Sequence, residues 1–283
     1  MQTILEILRK STDFLQRKGV ENARFDAQQL IAHGLGIGRM DLYLQFDRPL
    51  DESELARLRD LVARRGRREP LQHILGSVGF RGLDVKCDGR ALVPRQETEQ
   101  MVEVALSFAT APSGRLLEVA TGSGAPVLAF AQERPGWSCA ATDLSPEALA
   151  LARENAARNG LEGRVEWFQG DLLTPLAGSG PFDLMMANLP YIPSGDIDGL
   201  QPEVRDHDPR LALDGGPDGL DLVRRLLKEA PALLVRGGRL VLEIGHDQKE
   251  ALSAIAREAP EWSLEGFRRD LEGVERIPVL ERL

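Results

Sequence analysis

The sequence predicts an α/β protein, a mostly parallel sheet wound by helices and preceded by a small all-helical domain. Three observations carry this. Up to about residue 70 apolar positions recur only at helical spacing; from Arg115 onward short apolar runs alternate with helical stripes; and a glycine-broken stretch, Leu71 to Pro94, separates the two patterns. Repeated strand–helix units need right-handed crossovers, which make a parallel sheet.

The elements follow in order. Ile4, Leu5, Ile7, Leu8, Phe14 and Leu15 form one apolar stripe that Gly19 stops. A second helix spans Ala23 to Gly34, Asp41 is placed to cap a brief turn, and a third long helix starts near Glu52 and ends by Gly66 and Pro70. The stripes can be buried only against one another or a neighbour, so a helical bundle is expected. Asp88-Gly89, between Val85 and Leu92, reads as a hairpin turn. Beyond it come a helix within Pro94 to Thr110 and strands at Arg115 to Ala120, Trp137 to Thr142, Arg164 to Phe168, Phe182 to Ala187 and Arg239 to Ile244. Helices are expected from Pro126 to Glu133, from Ser145-Pro146 to Asn159-Gly160, from Leu220 to Leu234 ending at Gly237-Gly238, and from Gln248 to Ala259. Two last strands, near Trp262 to Phe267 and Arg276 to Leu280, have no helix between them and should pair antiparallel at one edge.

Composition narrows the function classes. At 283 residues with 42% hydrophobic content, the chain suffices for a small domain plus a larger one. A formal net charge of -9 opposes a broad nucleic-acid footprint. One basic cluster stands out, Arg64, Arg65, Arg67 and Arg68; it reads as a solvated helix end, or else as a contact for RNA or an acidic partner. Cys87 and Cys139 make neither a disulfide framework nor a metal cluster, and His207 has no companion histidine nearby. The amino terminus lacks the continuous apolar core of a signal peptide, and no stretch is long enough to cross a bilayer, so a cytoplasmic protein is expected. No Ser/His/Asp arrangement and no Walker loop is evident.

Candidate site residues gather at the carboxyl ends of the strands, where open α/β sheets bind ligands. The first strand runs into Thr121-Gly122-Ser123-Gly124, a tight loop whose amides suit a polar group. The dinucleotide fingerprint fits poorly, because its third glycine falls at Val127. Asp143 ends the next strand, spaced to bind ribose hydroxyls. Asp171 follows the third strand and suits an adenine amino group; Glu118 lies within the first strand beside the loop. Three acids on one crevice repel a pyrophosphate but accommodate a sulfonium and its amino group, which favours S-adenosylmethionine over NAD. The fourth strand ends in Asn188, Leu189, Pro190 and Tyr191. There Asn188 and a carbonyl of Leu189 or Pro190 are expected to accept hydrogen bonds from a target NH2, while Tyr191 stacks on the target group. Arg95, Glu97 and Glu99 either frame the cofactor pocket or form a charged helix start that Thr98 caps, and Glu243, inside a buried strand, should have a partner in a loop amide or an arginine.

Nearly the whole chain resembles the HemK-type family of peptide-chain release-factor glutamine methyltransferases. The resemblance rests on the helical amino-terminal domain, GFRG, LVPRQETE, LLEVATGSG, ATDLSPEALALARENAARNG, GDLL, FDLMMANLPYI, LALDGGPDGL and LVLEIG. It implies a seven-stranded Rossmann-like methyltransferase domain over residues 95–283, a β-hairpin connector over 73–94 and a substrate-recognising helical bundle over 1–72. The implied reaction is methylation, from S-adenosylmethionine, of the side-chain nitrogen N5 of the glutamine in the Gly-Gly-Gln motif of release factors, by a monomer that needs no direct nucleic acid. By position, Gly122 and Gly124 would wrap the methionine part of the cofactor, Asp143 its ribose and Asp171 its adenine, and Asn188 with Pro190 would grip the glutamine amide. The chain departs from the family pattern at Gln96 and Leu189, where proline is usual, at Ala120, where glycine is usual, and at Pro126, where an aliphatic residue is usual. Asn-Leu-Pro-Tyr is also similar to the loop of ribosomal RNA adenine dimethylating enzymes, so the alternative is N-methylation of another protein or of an RNA base amine.

Overall fold

A computed structural model describes residues 2–283 and divides the chain into two compact units. Met1–Ser77 and Gln201–His207 make up the first; Val78–Leu200 and Asp208–Leu283 make up the second.

In the first unit, α1 (Ile4–Arg17) opens with a capping box in which Thr3 and Glu6 each accept from the other's backbone amide. Next come α2 (Ala23–Leu35), α3 (Asp41–Leu44), α4 (Glu52–Gly66) and α5 (Leu71–Leu75). Asp41 is the first residue of α3 rather than its cap; its carboxylate accepts from the Gly38 amide at 3.0 Å. Ile4, Leu8, Leu15, Leu30, Ile31 and Leu58 are among the residues of the unit's core.

The second unit takes in β1 (Ser77–Phe80) from Val78 on, and β2 (Leu83–Lys86). The hairpin turns at Arg81-Gly82, not at Asp88-Gly89. Both turn residues have positive φ, 43° and 82°, the conformation that suits tight hairpins. Asp88 instead binds the backbone amide and guanidinium of Arg90, at 3.2 and 2.9 Å, and the next element is a helix rather than a strand.

The chain continues through α6 (Gln96–Phe108), β3 (Gly114–Val119), α7 (Ala125–Glu133), β4 (Trp137–Asp143), α8 (Pro146–Arg158), β5 (Val165–Gln169) and β6 (Phe182–Asn188). After β6 come α9 (Pro202–Arg205), α10 (Asp221–Glu229), β7 (Leu234–Glu243), α11 (Lys249–Glu258), β8 (Trp262–Arg269) and β9 (Glu275–Arg282). One seven-stranded sheet has the order β5-β4-β3-β6-β7-β9-β8, parallel up to β7, with β9 antiparallel to both its neighbours. Ser145 caps α8 by accepting from the Ala148 amide at 3.1 Å. Two expectations need adjusting. The helix from Leu220 stops at Glu229, a 3-10 turn spans Ala230–Ala232, and Gly237-Gly238 lies inside β7 at an irregularity in its pairing with β6. Pro126 is the second residue of α7, where its missing amide hydrogen likewise costs no helical bond.

Successive residues of the central strands face opposite layers. Leu116, Leu184 and Met186 join one core with α6 and α7, while Leu117, Met185 and Ala187 join the other with α10 and α11. Both faces are covered, which is why these strands read as continuous apolar runs.

The arginine cluster is mostly paired and not a free basic patch: Arg64, Arg65 and Arg68 hold carboxylates, while Arg67 at the helix end is exposed. Within the first unit, Arg65 is only 7% exposed and reaches Asp26 at 2.7 Å and Glu203 at 2.8 Å. Arg68 grips Glu203 through two bonds, and Arg64 holds Glu69. Burial raises the Asp26 carboxyl by more than Arg65 lowers it. For Glu203 burial also acts upward, but hydrogen bonds from Arg68, its own backbone and Arg65 outweigh it and hold the group low. Removing one partner of a buried pair strands the others. Arg65→Ala is therefore expected to cost about 3–5 kcal/mol in urea unfolding; a loss under about 1 kcal/mol, the size of an exposed pair, contradicts this role.

Candidate active site

The site is built where β3, β4, β5 and β6 release their chains into loops. Glu118, only 1% exposed, lies in the last turn of the pleat before the β3 loop. It accepts from the Thr121 hydroxyl and from the Val127 amide, the latter at 3.2 Å. Burial pushes its pKa up to about 8, the Asp143 charge adds to that, and the two hydrogen bonds pull it down.

The loop itself is sharply folded, with positive φ at Ala120 (58°), Gly122 (55°) and Gly124 (79°). Gly124 caps α7, and a Cβ on it would sit 2.9 Å from the Ala152 methyl and 3.2 Å from the Trp167 ring. That glycine therefore lets α7 approach α8, and it does not line the cavity. Gly122 does line it, and its amide donates to Asp143 Oδ2 at 2.8 Å; the other Asp143 oxygen accepts from Ser145 N at 2.9 Å. Burial raises the Asp143 carboxyl against the bonds from Ser145, Gly122 and Leu144. Asp171 lies past the end of β5 and pairs with Arg225 of α10 at 2.8 Å.

At the end of β6, Asn188 Nδ2 donates to Thr98 Oγ1 on α6 at 3.2 Å. Thr98 therefore does not cap its helix; Arg95 occupies the cap position without a side-chain bond. The chain beyond Asn188 is stapled to a later segment: Ile192 N to Leu213 O at 3.0 Å, Gly215 N to Ile192 O at 2.9 Å and Ser194 N to Gly216 O at 2.9 Å. A Cβ at Gly215 would lie 2.5 Å from the Pro190 carbonyl oxygen, so only glycine permits this approach. The Tyr191 carbonyl accepts from Gln248 Nε2 at 2.8 Å, and burial pushes its phenol up to about 12.

These loops enclose a cavity of about 310 Å³, within the range of small-molecule sites. Glu118, Thr121, Gly122, Asp143 and Asp171 stand on its wall together with Asn188, Leu189 and Pro190. Tyr191 does not. Arg95 frames the rim and lies 3.5 Å from Asp208, whereas Glu97 and Glu99 are off the wall; Glu99 instead accepts from the Arg81 amide at 3.2 Å. The half-buried His207 belongs to the first unit. Sequence reasoning missed Thr142, Leu144, Leu172, Leu222 and Arg225, all on the wall. Leu144 had a signal, since it follows the acid that ends β4; Arg225 had none, because only the packing of α10 brings it to Asp171.

The wall fits S-adenosylmethionine. Its carboxylates are of the charge that would suit an ammonium and ribose hydroxyls, Leu144 and Leu172 would offer apolar surface to a flat ring, and the buried Thr142 hydroxyl has no hydrogen-bond partner among the described residues. Among the described residues no group of acids, histidines and cysteines could hold a metal ion.

Two outcomes test the loop. A non-glycine residue in left-handed backbone costs roughly 1–2 kcal/mol, so Ala120→Gly should raise unfolding stability by about 1 kcal/mol after glycine's added chain freedom; destabilisation would mean the methyl's packing outweighs the strain. Glu118 has a folded pKa raised from 4.5 to about 8, so its contribution is complete below 4.5 and is lost as pH rises through about 8. Glu118→Gln should flatten the fall of stability between those pH values in denaturant titrations, and an unchanged slope removes Glu118 as its source.

Comparison with known proteins agrees with this architecture. Residues 6–76 match the family described as PrmC N-terminal domain, and residues 116–207 match a methyltransferase domain family. The release factor glutamine methyltransferase of Geobacter sulfurreducens is 43% identical over 280 residues, covering 97% of this chain and 95% of that protein. Its counterpart from Deinococcus radiodurans is 44% identical, covering 96% of each. Among solved structures, the hMettl16 catalytic domain shares the fold at a TM-score of 0.58 and 16% identity, over 79% of this chain and 80% of that one. The chain belongs to the release factor glutamine methyltransferase family.

Proposed function

We propose that this protein transfers a methyl group from S-adenosylmethionine to the N5 amide nitrogen of the Gly-Gly-Gln glutamine of release factors, with Asn188 orienting that amide. The supporting observation is the Asn188 side chain at the cavity wall, its nitrogen held by Thr98 within the same cavity as the three acids. Glu118, Asp143 and Asp171, with Gly122, would hold the cofactor. When bound, S-adenosylmethionine supplies an electrophilic methyl on a positively charged sulfur.

An amide nitrogen is a weak nucleophile, so alignment supplies much of the rate. Asn188 Oδ1 accepts one N–H of the glutamine, and the carbonyl of Leu189 or Pro190 accepts the other. The two together fix the nitrogen's rotation and disperse the positive charge that develops on it, until one hydrogen leaves to solvent as a proton; the pair from the broken methyl–sulfur bond would stay on the sulfur of the product, S-adenosylhomocysteine. Because the contact is through a carbonyl, leucine in place of proline at position 189 preserves it. Tyr191 lies off the wall, and stacking on the target would require it to turn inward. The helical first unit is the candidate for gripping the release factor, and the two free buried cysteines suit a reducing compartment such as the cytosol. An RNA base amine is disfavoured as target by the net charge of -9 and by the internal pairing of the arginine cluster.

Isotope-labelled S-adenosylmethionine offered to purified release factor, to its Gln→Ala variant and to ribosomal RNA tests the assignment: label should enter the intact factor only. Labelled RNA would favour the base-amine alternative. Asn188→Ala should slow transfer about 100-fold while cofactor affinity stays near the parent's. Equal rates would remove Asn188 from the mechanism.

A further inference from the structure

We infer that Glu243 and Thr98 are positioning residues that set which way round the Asn188 amide sits, so that its oxygen and not its NH2 group meets the substrate. This deepens the proposed function and rests on the role given there to Asn188.

The β6–β7 register places Glu243 beside Asn188, and Thr98 comes to the pair from the first turn of α6. All three are at the cavity end of their elements; Glu243 and Thr98 are 2% and 4% exposed. Asn188 Nδ2 donates to Thr98 Oγ1 at 3.2 Å, and the adjacent Glu243 carboxylate is near enough to both side chains for each to lower its pKa. An ionised carboxylate only accepts, and a threonine hydroxyl has a single proton. With that proton given to Glu243, Thr98 can only accept from Asn188, so the Asn188 nitrogen must face inward. The amide oxygen is then left for the cavity. A protonated or amidated residue 243 can donate as well as accept, and the chain of bonds loses its direction.

The surroundings leave the carboxylate poised. Burial raises Glu243 to about 7, Glu97 on α6 adds to this, and hydrogen bonds from Thr98 and Asn188 together with Arg276 on β9 oppose it. Arg276 shares its charge with Asp270 at 2.6 Å, Tyr191 lies in the same electrostatic neighbourhood, and Glu243 Oε2 has no hydrogen-bond partner among the described residues.

The test measures kcat and KM for release factor with Glu243→Gln, Thr98→Val, Thr98→Ser and Asn188→Ala, alongside melting temperature and cofactor affinity. Glu243→Gln and Thr98→Val should each lower kcat about tenfold or more, the worth of one directed hydrogen bond, with KM and cofactor affinity little changed. Thr98→Ser keeps the hydroxyl and should recover most of the loss. The parent's kcat should fall as pH drops through about 7, and Glu243→Gln should lack that limb. If Asn188→Ala is slow while Glu243→Gln and Thr98→Val match the parent, the inference fails and the proposed function stands. If Asn188→Ala is itself unimpaired, the proposed function fails first. If Glu243→Gln does not fold, the threonine pair decides: serine as slow as valine means packing alone, and overturns the inference.

Discussion

The pairing of β3 with β6 is the constraint on which the site depends. Parallel registry sets Glu118 opposite Met186 and Val119 opposite Ala187, so both strands end at the same level. β3 continues into the glycine-containing turn, and β6 into Asn188. The crevice at their carboxyl ends is where the sheet order reverses, with β4 lying to one side of β3 and β6 to the other. A slip of one residue would turn Glu118 to the opposite layer and exchange the apolar faces, which two separate cores forbid.

Around that seam the molecule buries carboxylates without giving each a cation. Glu118 is held by a hydroxyl and an amide, Asp143 by backbone amides, and Glu243 lies buried beside Asn188. Dipoles of this kind hold the groups in place and leave room for a ligand's positive charge. The first unit solves a similar problem differently: Asp26 and Glu203 share the buried Arg65, and Arg68 adds to Glu203, an arrangement that fixes side chains in place. These two styles separate a site from a scaffold.

Much of this was readable from residue order. Strand–helix alternation gave the parallel sheet, and the helix-free connection between the last strands gave its antiparallel edge, because local periodicity reports local burial. Acids at strand ends and Asn188 after an apolar run were legible for the same reason, since topology alone puts them together. What stayed hidden depended on distance along the chain. Asp88-Gly89 carries the hairpin signal and Arg81-Gly82 does not, because arginine seldom takes the positive φ that this turn gives it and only packing imposes it. The pairing of Arg65 with Glu203 joins residues 138 apart, and that of Arg225 with Asp171 residues 54 apart. Gly124 looked like a ligand contact, yet its lack of a side chain serves the approach of two helices. Thr98 read as a helix cap because its partners lie on strands that sequence could not bring to it.

Gly215 touches the Pro190 carbonyl, and Gly219 comes as close to that of Tyr191, so main chain rests on main chain with no side chain between to yield. Evolution or engineering therefore has little freedom to reshape this edge of the cavity one residue at a time along this stretch. A change of acceptor would travel as a cassette, with the strand-end loop and its glycine-rich counterpart exchanged together, as matched halves of one mould.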